Sequence, residues 1–132
     1  FYENPDSVVI TNRYTTSNAV HQLEKIDREK WDEYLSWLFD FEYNKLGIPS
    51  PDLVMFLEMK PDIALELVKK RSAETGHELD PDYMHRSYKA ALYACDKLGW
   101  KRIICSDGKE PLSEDEIAAL VLEQATMLLD IA

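Results

Sequence analysis

The chain has 132 residues, with 15 basic against 25 acidic side chains and a net charge of −10. That balance disfavours non-specific nucleic-acid binding, which needs Lys and Arg to displace counterions. No apolar run approaches the roughly 20 residues of a membrane span, and no signal-peptide pattern opens the sequence. The length suits one domain over residues 1–132, undivided by linkers, repeats or low-complexity tracts. Cys95 and Cys105 do not form a C-x-x-C pair, so both read as buried small hydrophobes in a reducing, cytoplasmic compartment, with no metal site.

In chain order, Ser7-Val8-Val9-Ile10 is a short apolar run rich in β-branched residues and predicts a buried strand from Ser7 to Thr11. Thr15 through Gln22 then reads as the polar start of a helix. Arg13 is expected at the strand's exit, where open α/β sheets carry their ligand chemistry. Asp27-Arg28-Glu29-Lys30 predicts a capped helix start. From there Trp31, Tyr34, Leu35, Leu38, Phe39, Glu42 and Leu46 recur at helical spacing until Gly47 and Pro49 end the run. A second strand is predicted from Asp52 to Glu58. Pro61 opens a helix that reaches about Arg71, and Asp80-Pro81-Asp82 starts another that stops at Gly99. A third strand is predicted from Arg102 to Ser106. Ser113-Glu114-Asp115-Glu116 forms a capping box that opens the last helix, through Leu128.

Strands alternating with helices predict an α/β fold with a parallel sheet and helices on both faces. The aromatic set Trp31, Tyr34, Trp37, Phe39, Phe41 and Tyr43 has helical spacing, which favours packing against the sheet or a second subunit over base stacking. His85 has no acidic or cysteine partner at metal-ligand spacing and reads as a surface residue.

Three segments carry a resemblance. Asn12-Arg13-Tyr14 followed by Ser17-Asn18-Ala19-Val20-His21-Gln22 resembles the D-R-Y-x-x-S-N-A-x-x-Q segment of bacterial thymidylate kinases. Lys70-Arg71-Ser72-Ala73, then Gly76-His77-Glu78, resembles the lid of that family, placed here at about residues 69–82. Pro51 to Leu57, with Pro61 and Ala64-Leu65, resembles its fourth strand and the start of its lid helix.

The resemblance implies a three-layer nucleoside monophosphate kinase sheet of order 2-3-1-4-5, and phosphoryl transfer from ATP, with Mg2+, to dTMP. It also implies a homodimer formed through helices of the aromatic region. By resemblance Arg13 grips the dTMP phosphate and Asn18 offers its amide to the thymine edge. Asn12, Ser17 and Gln22 support that site, and His21 stands where relatives carry a tyrosine that crowds the ribose 2′ position. Arg71 is the lid cation, with Lys69 and Lys70 as alternatives. His77 and Glu78 match the lid, and Asp107-Gly108 falls where the family packs adenine, although an ordinary strand-to-helix turn explains that pair equally well.

Two departures matter. The family has aspartate where this chain has Asn12, which removes a charge and adds two donors. None of the four glycines, at 47, 76, 99 and 108, sits in a G-x-x-x-x-G-K-[ST] loop, so the first strands and the phosphate loop are expected to lie outside this sequence. Either a truncated protein or a natural half-protein that pairs with another chain fits. A sheet lacking its central strand leaves backbone groups unpaired, so the segment alone is expected to be inactive and to need its missing half or a partner strand. The alternative to a kinase is a catalytically impaired nucleotide-binding or regulatory relative; a third possibility is a half-domain that serves only in assembly.

Overall fold

The computed structural model describes residues 3–4, 6–75 and 80–130, with the side chains of 72–75 left out. Helix α1 (Thr16–Leu23) is followed by a 3-10 turn (Arg28–Lys30), α2 (Trp31–Phe39) and a π-helical turn (Asp40–Lys45). Then come β1 (Met55–Glu58), α3 (Pro61–Thr75), α4 (Pro81–Leu98), β2 (Lys101–Ile104) and α5 (Glu114–Leu129). Among the described residues no helix is long and apolar enough to cross a membrane.

Local signals account for most helix ends. The Asp80 side chain accepts from the backbone N–H groups of Asp82 and Tyr83 at 3.0 and 3.2 Å, Pro81 occupies the first turn, and Gly99 closes α4 in the left-handed region at φ 69°. Ser113 and Glu116 complete their reciprocal capping box, with the Glu116 carboxylate accepting from Ser113 N–H at 2.8 Å. The expected side-chain cap at Asp27 is not made. Instead the chain enters α2 through the 3-10 turn, closed by Lys30 N–H donating to the Asp27 carbonyl at 2.9 Å.

The core is built mainly between helices. Trp31, Leu35 and Leu38 of α2 are buried with Ala19 and Leu23 of α1 and Ala90 of α4; Ile26, Tyr34, Phe39 and Tyr93 pack around them. Ala19 and Ala90 are both fully buried, so methyl-sized side chains let α1 and α4 approach closely. Each fully buried leucine stabilises the fold by about 1.5–3 kcal/mol relative to exposure. The aromatic face therefore packs against helices more than against the sheet, and Trp37 and Phe41 face outward, stacked at 5.6 Å.

The sheet has two parallel strands, with Met55 opposite Lys101 and Glu58 opposite Ile104. Parallel pairing across helices agrees with the expected α/β class. The described residues do not build a wider, three-layer sheet. The predicted strand from Ser7 to Thr11 is not formed: Val8, Val9 and Ile10 are 56, 59 and 87% exposed, and no described strand lies beside them to supply ladder hydrogen bonds. The third predicted strand ends early, at Ile104, and Ser106 instead pairs with Pro111 in an isolated antiparallel bridge.

The carboxylate of Glu58, buried at the end of β1, holds the two strands and α4 together. It accepts from Arg102 Nε at 2.5 Å and Nη2 at 2.8 Å, and from the Tyr88 hydroxyl at 2.7 Å. Arg102 pulls the Glu58 carboxyl below its ordinary value, against the opposing effect of burial. His85 is exposed, as expected, donating Nδ1–H to the Pro81 carbonyl at 2.8 Å with Nε2 3.4 Å from Asp62.

Candidate functional site

The residues singled out near the N-terminus gather on and just before α1. Spacing explains this: Thr15, Asn18, His21 and Gln22 share one face of the helix, adjoining the face that buries Ala19 and Leu23. Side chains of that face and of Tyr14 before it are tied to the π-helical turn, to the segment after it and to α4. The Tyr14 hydroxyl donates to the Pro49 carbonyl at 2.7 Å, which fixes the loop before α1 to the segment after the π-helical turn. Thr15 Oγ1 and the Tyr43 hydroxyl lie 3.4 Å apart. Asn18 Nδ2 donates to Glu42 Oε1 at 3.0 Å. His21 Nδ1 meets the Tyr83 hydroxyl at 2.9 Å, reaching the first turn of α4.

Arg13 precedes this face in the left-handed region at φ 66°, a conformation that side chains other than glycine rarely adopt. It is exposed, and its guanidinium makes no hydrogen bond or ion pair to any described residue. Asn12 is likewise exposed, Ser17 and Gln22 are half-buried, and Asn18 keeps its Oδ1 free of described partners. Arg13 and Asn18 thus stand close in the chain, one presenting a free cation and the other a free acceptor.

Glu42 was legible only in part. It continues the stripe Trp31, Leu35, Leu38 as an acidic residue at an otherwise apolar position, and that mismatch was the available signal. The structure buries it to 4% exposure, and its Oε2 has no hydrogen-bond partner among the described residues. Its surroundings register the charge: burial and then the Glu42 carboxylate push Tyr34 upward, and burial first, with Glu42 adding, pushes Tyr43 upward.

Of the residues expected in a lid, the described ones lie elsewhere. Arg71 is exposed on α3 without a described partner, Lys69 pairs with Glu66 at 3.0 Å, and His77 and Glu78 fall outside the described residues. Lys70 lines a shallow depression of about 270 Å³ between α3 and the loop after β2, opposite Lys109 and Pro111; Arg13, Asn18 and His21 take no part in it. In that loop Asp107 Oδ1 accepts from the backbone N–H groups of Lys109 and Glu110, each at 2.8 Å, and these bonds draw its carboxyl downward. Gly108 takes φ 101°. Asp107, through its side-chain carboxylate, and Gly108, through its positive φ, therefore shape a turn.

The described residues contain no group of three His, Cys, Asp or Glu side chains that could hold a metal ion, and the sequence offers no glycine-rich nest for a triphosphate.

Parallel strands joined through helices, with a polar helix face and an exposed arginine just before it, define an α/β protein. Residues 4–128 match the family model described as deoxynucleoside kinase. The chain belongs to that family. Among curated proteins it is 28% identical over 93 residues to a thymidylate kinase of Mycobacterium tuberculosis, covering 66% of this chain and 42% of that protein. It is 31% identical over 107 residues to a probable thymidylate kinase of Archaeoglobus fulgidus, covering 80% of this chain and 47% of that one. The chain thus spans less than half the length of these relatives. No solved structure matches.

Proposed function

We propose that this chain carries the acceptor side of a thymidylate kinase, which transfers a phosphoryl group from ATP to dTMP and forms dTDP. The observation that carries this reading is the exposed guanidinium of Arg13, without a partner among the described residues and held at φ 66° just before the polar face of α1. A planar guanidinium grips a phosphate through two parallel hydrogen bonds. An oxygen of the dTMP phosphate so held attacks the γ-phosphorus, the bond from that phosphorus to the bridging oxygen breaks, and the electron pair leaves with ADP. Positioning and charge neutralisation supply most of the rate. In this reading Asn18 meets the base, while Asn12, Ser17, His21 and Gln22 complete its surroundings. Arg71 offsets charge on the transferring group, assisted by the lid at His77 and Glu78, with ATP near the turn at Asp107 and Gly108. ATP and Mg2+ enter as the donor and its counter-ion, the protein acts in the cytoplasm, and neither nucleic acid nor membrane is a partner. A homodimer formed through the outward ring pair Trp37 and Phe41 belongs to the same reading.

The test is turnover of the full-length gene product with ATP, Mg2+ and a panel of nucleoside monophosphates. dTDP should form, and Arg13→Ala should lower turnover by about 100-fold or more, the usual effect of removing a charge-stabilising donor. Undiminished turnover in that variant removes Arg13 from the mechanism. A second reading is favoured by Asn12, whose amide lacks the aspartate charge: a relative that binds dTMP without transfer. It expects dTMP to raise the melting temperature while no product forms.

A further inference from the structure

The Asn18–Glu42 contact has a consequence for base selection that rests on the reading above. A carboxylate only accepts hydrogen bonds, whereas a side-chain amide has one accepting and one donating end. With Glu42 Oε1 3.0 Å from Asn18 Nδ2, the donating end of Asn18 must face Glu42, and Oδ1 faces the other way. Turning the amide over would set Oδ1 against a buried carboxylate oxygen. Asn18 supplies the only donor that Glu42 has among the described side chains, since Oε2 is buried without one. Loss of that bond would leave the whole carboxylate unpartnered at 4% exposure.

The backbone fixes the carboxylate in its turn. Leu46 N–H donates to the Phe41 carbonyl at 2.9 Å, the five-residue spacing of a π turn, and Ile48 N–H donates to the Glu42 carbonyl at 3.0 Å. Such widened turns recur at functional sites. Here the turn lies directly across from the polar face of α1.

We propose that Glu42 is a positioning residue for base selection: by fixing the Asn18 amide it leaves Oδ1 as an acceptor, so the site takes a ring that presents an N–H donor. Thymine and uracil carry a hydrogen on N3. Cytosine carries a lone pair there, which would oppose Oδ1. Selection between them then comes from a polar group that mismatches the wrong base, a stronger device than pocket size.

The experiment compares kcat/KM for dTMP and dCMP on the full-length gene product, in the wild type, in Glu42→Gln, in Asn18→Ala and in the double variant. A glutamine can either accept or donate, so it releases Asn18 to turn. The dTMP-to-dCMP ratio should fall at least tenfold in Glu42→Gln, and the same substitution should leave the ratio unmoved in the Asn18→Ala background. A ratio within twofold of wild type in Glu42→Gln, or an equal fall on both backgrounds, overturns the proposal. If Glu42→Gln does not fold, the 15N-labelled side-chain amide of Asn18 in the wild type decides. Slow exchange and a hydrogen-bond-shifted signal retained on adding dTMP support the role, and rapid exchange overturns it. A wild type that turns over no monophosphate and binds no dTMP removes the kinase reading itself, whereas an active, selective wild type with an equally selective Glu42→Gln removes only the role of Glu42.

Discussion

His21 Nδ1 and the Tyr83 hydroxyl meet at 2.9 Å across 62 residues of sequence, joining the polar face of α1 to the first turn of α4. A second link runs parallel to it, from Arg86 Nε to Glu24 Oε2 at 3.0 Å, and fully buried Ala19 and Ala90 lie in the core between these helices. Helix α1, which presents Asn18, is therefore joined to α4 at both links.

Tyr83→Phe removes one clamp and keeps the ring. The loss should be about 1 kcal/mol of stability, the usual net contribution of one hydrogen bond. In urea the midpoint should fall with an unchanged slope, since the surface exposed on unfolding stays the same. A cycle with His21→Ala tests the assignment, because the Tyr83→Phe effect should vanish once His21 is gone.

The Glu58 cluster predicts how stability depends on acid. Arg102, through its hydrogen bonds, draws the Glu58 carboxyl below its ordinary 4.5 in the folded protein. A carboxyl depressed on folding contributes stability that is fully present above 4.5 and is lost as pH falls through the folded value, because the unfolded chain takes up the proton first. Melting temperature measured from pH 7 down to pH 3 should fall more steeply in the wild type than in Glu58→Gln, with the variant less stable at pH 7. Parallel curves for the two proteins would show that Glu58 is not the group being titrated.

Cys95 is buried, and burial pushes its thiol up to about 11. Cys105 is moved in the same direction, also chiefly by burial. The thiolate is the nucleophile, so at pH 8 both should be almost entirely unreactive thiols. Iodoacetamide should label them only as fast as the protein opens, and labelling should accelerate together with urea-induced unfolding. Rapid modification of the native protein at pH 8 would contradict that burial.

How much of this was readable from sequence follows the reach of each interaction. Asp80 with Pro81, Gly99, and the Ser113–Glu116 box act within a few residues, and the helices they bound lie where predicted. The strand at Ser7–Thr11 depends on a neighbour, and β-branched composition alone supplies none. The π-helical turn at Asp40–Lys45 adds one residue to a turn and leaves no mark in composition. The polar helix start after Arg13 was legible from its run of polar residues. The partner of Asn18 was not, because a contact between residues 18 and 42 is a property of how two helices cross.

Arg13 offers the most direct separation of fold from function. A side chain at φ 66° is strained where glycine is not, at a cost of about 1 kcal/mol, and the Arg13 guanidinium has no described partner to offset it. Arg13→Gly should therefore raise stability by about 1 kcal/mol while binding of dTMP weakens sharply; equilibrium urea unfolding and calorimetric titration read the two effects separately. Arg13→Lys keeps the strain and one positive charge, so its stability should match the wild type and its affinity should be intermediate, since an ammonium cannot reproduce the two-point grip. Such opposed movement of stability and binding marks a residue kept for its ligand. If Arg13→Gly proves less stable than the wild type, the arginine is holding the loop, and its placement before α1 belongs to folding.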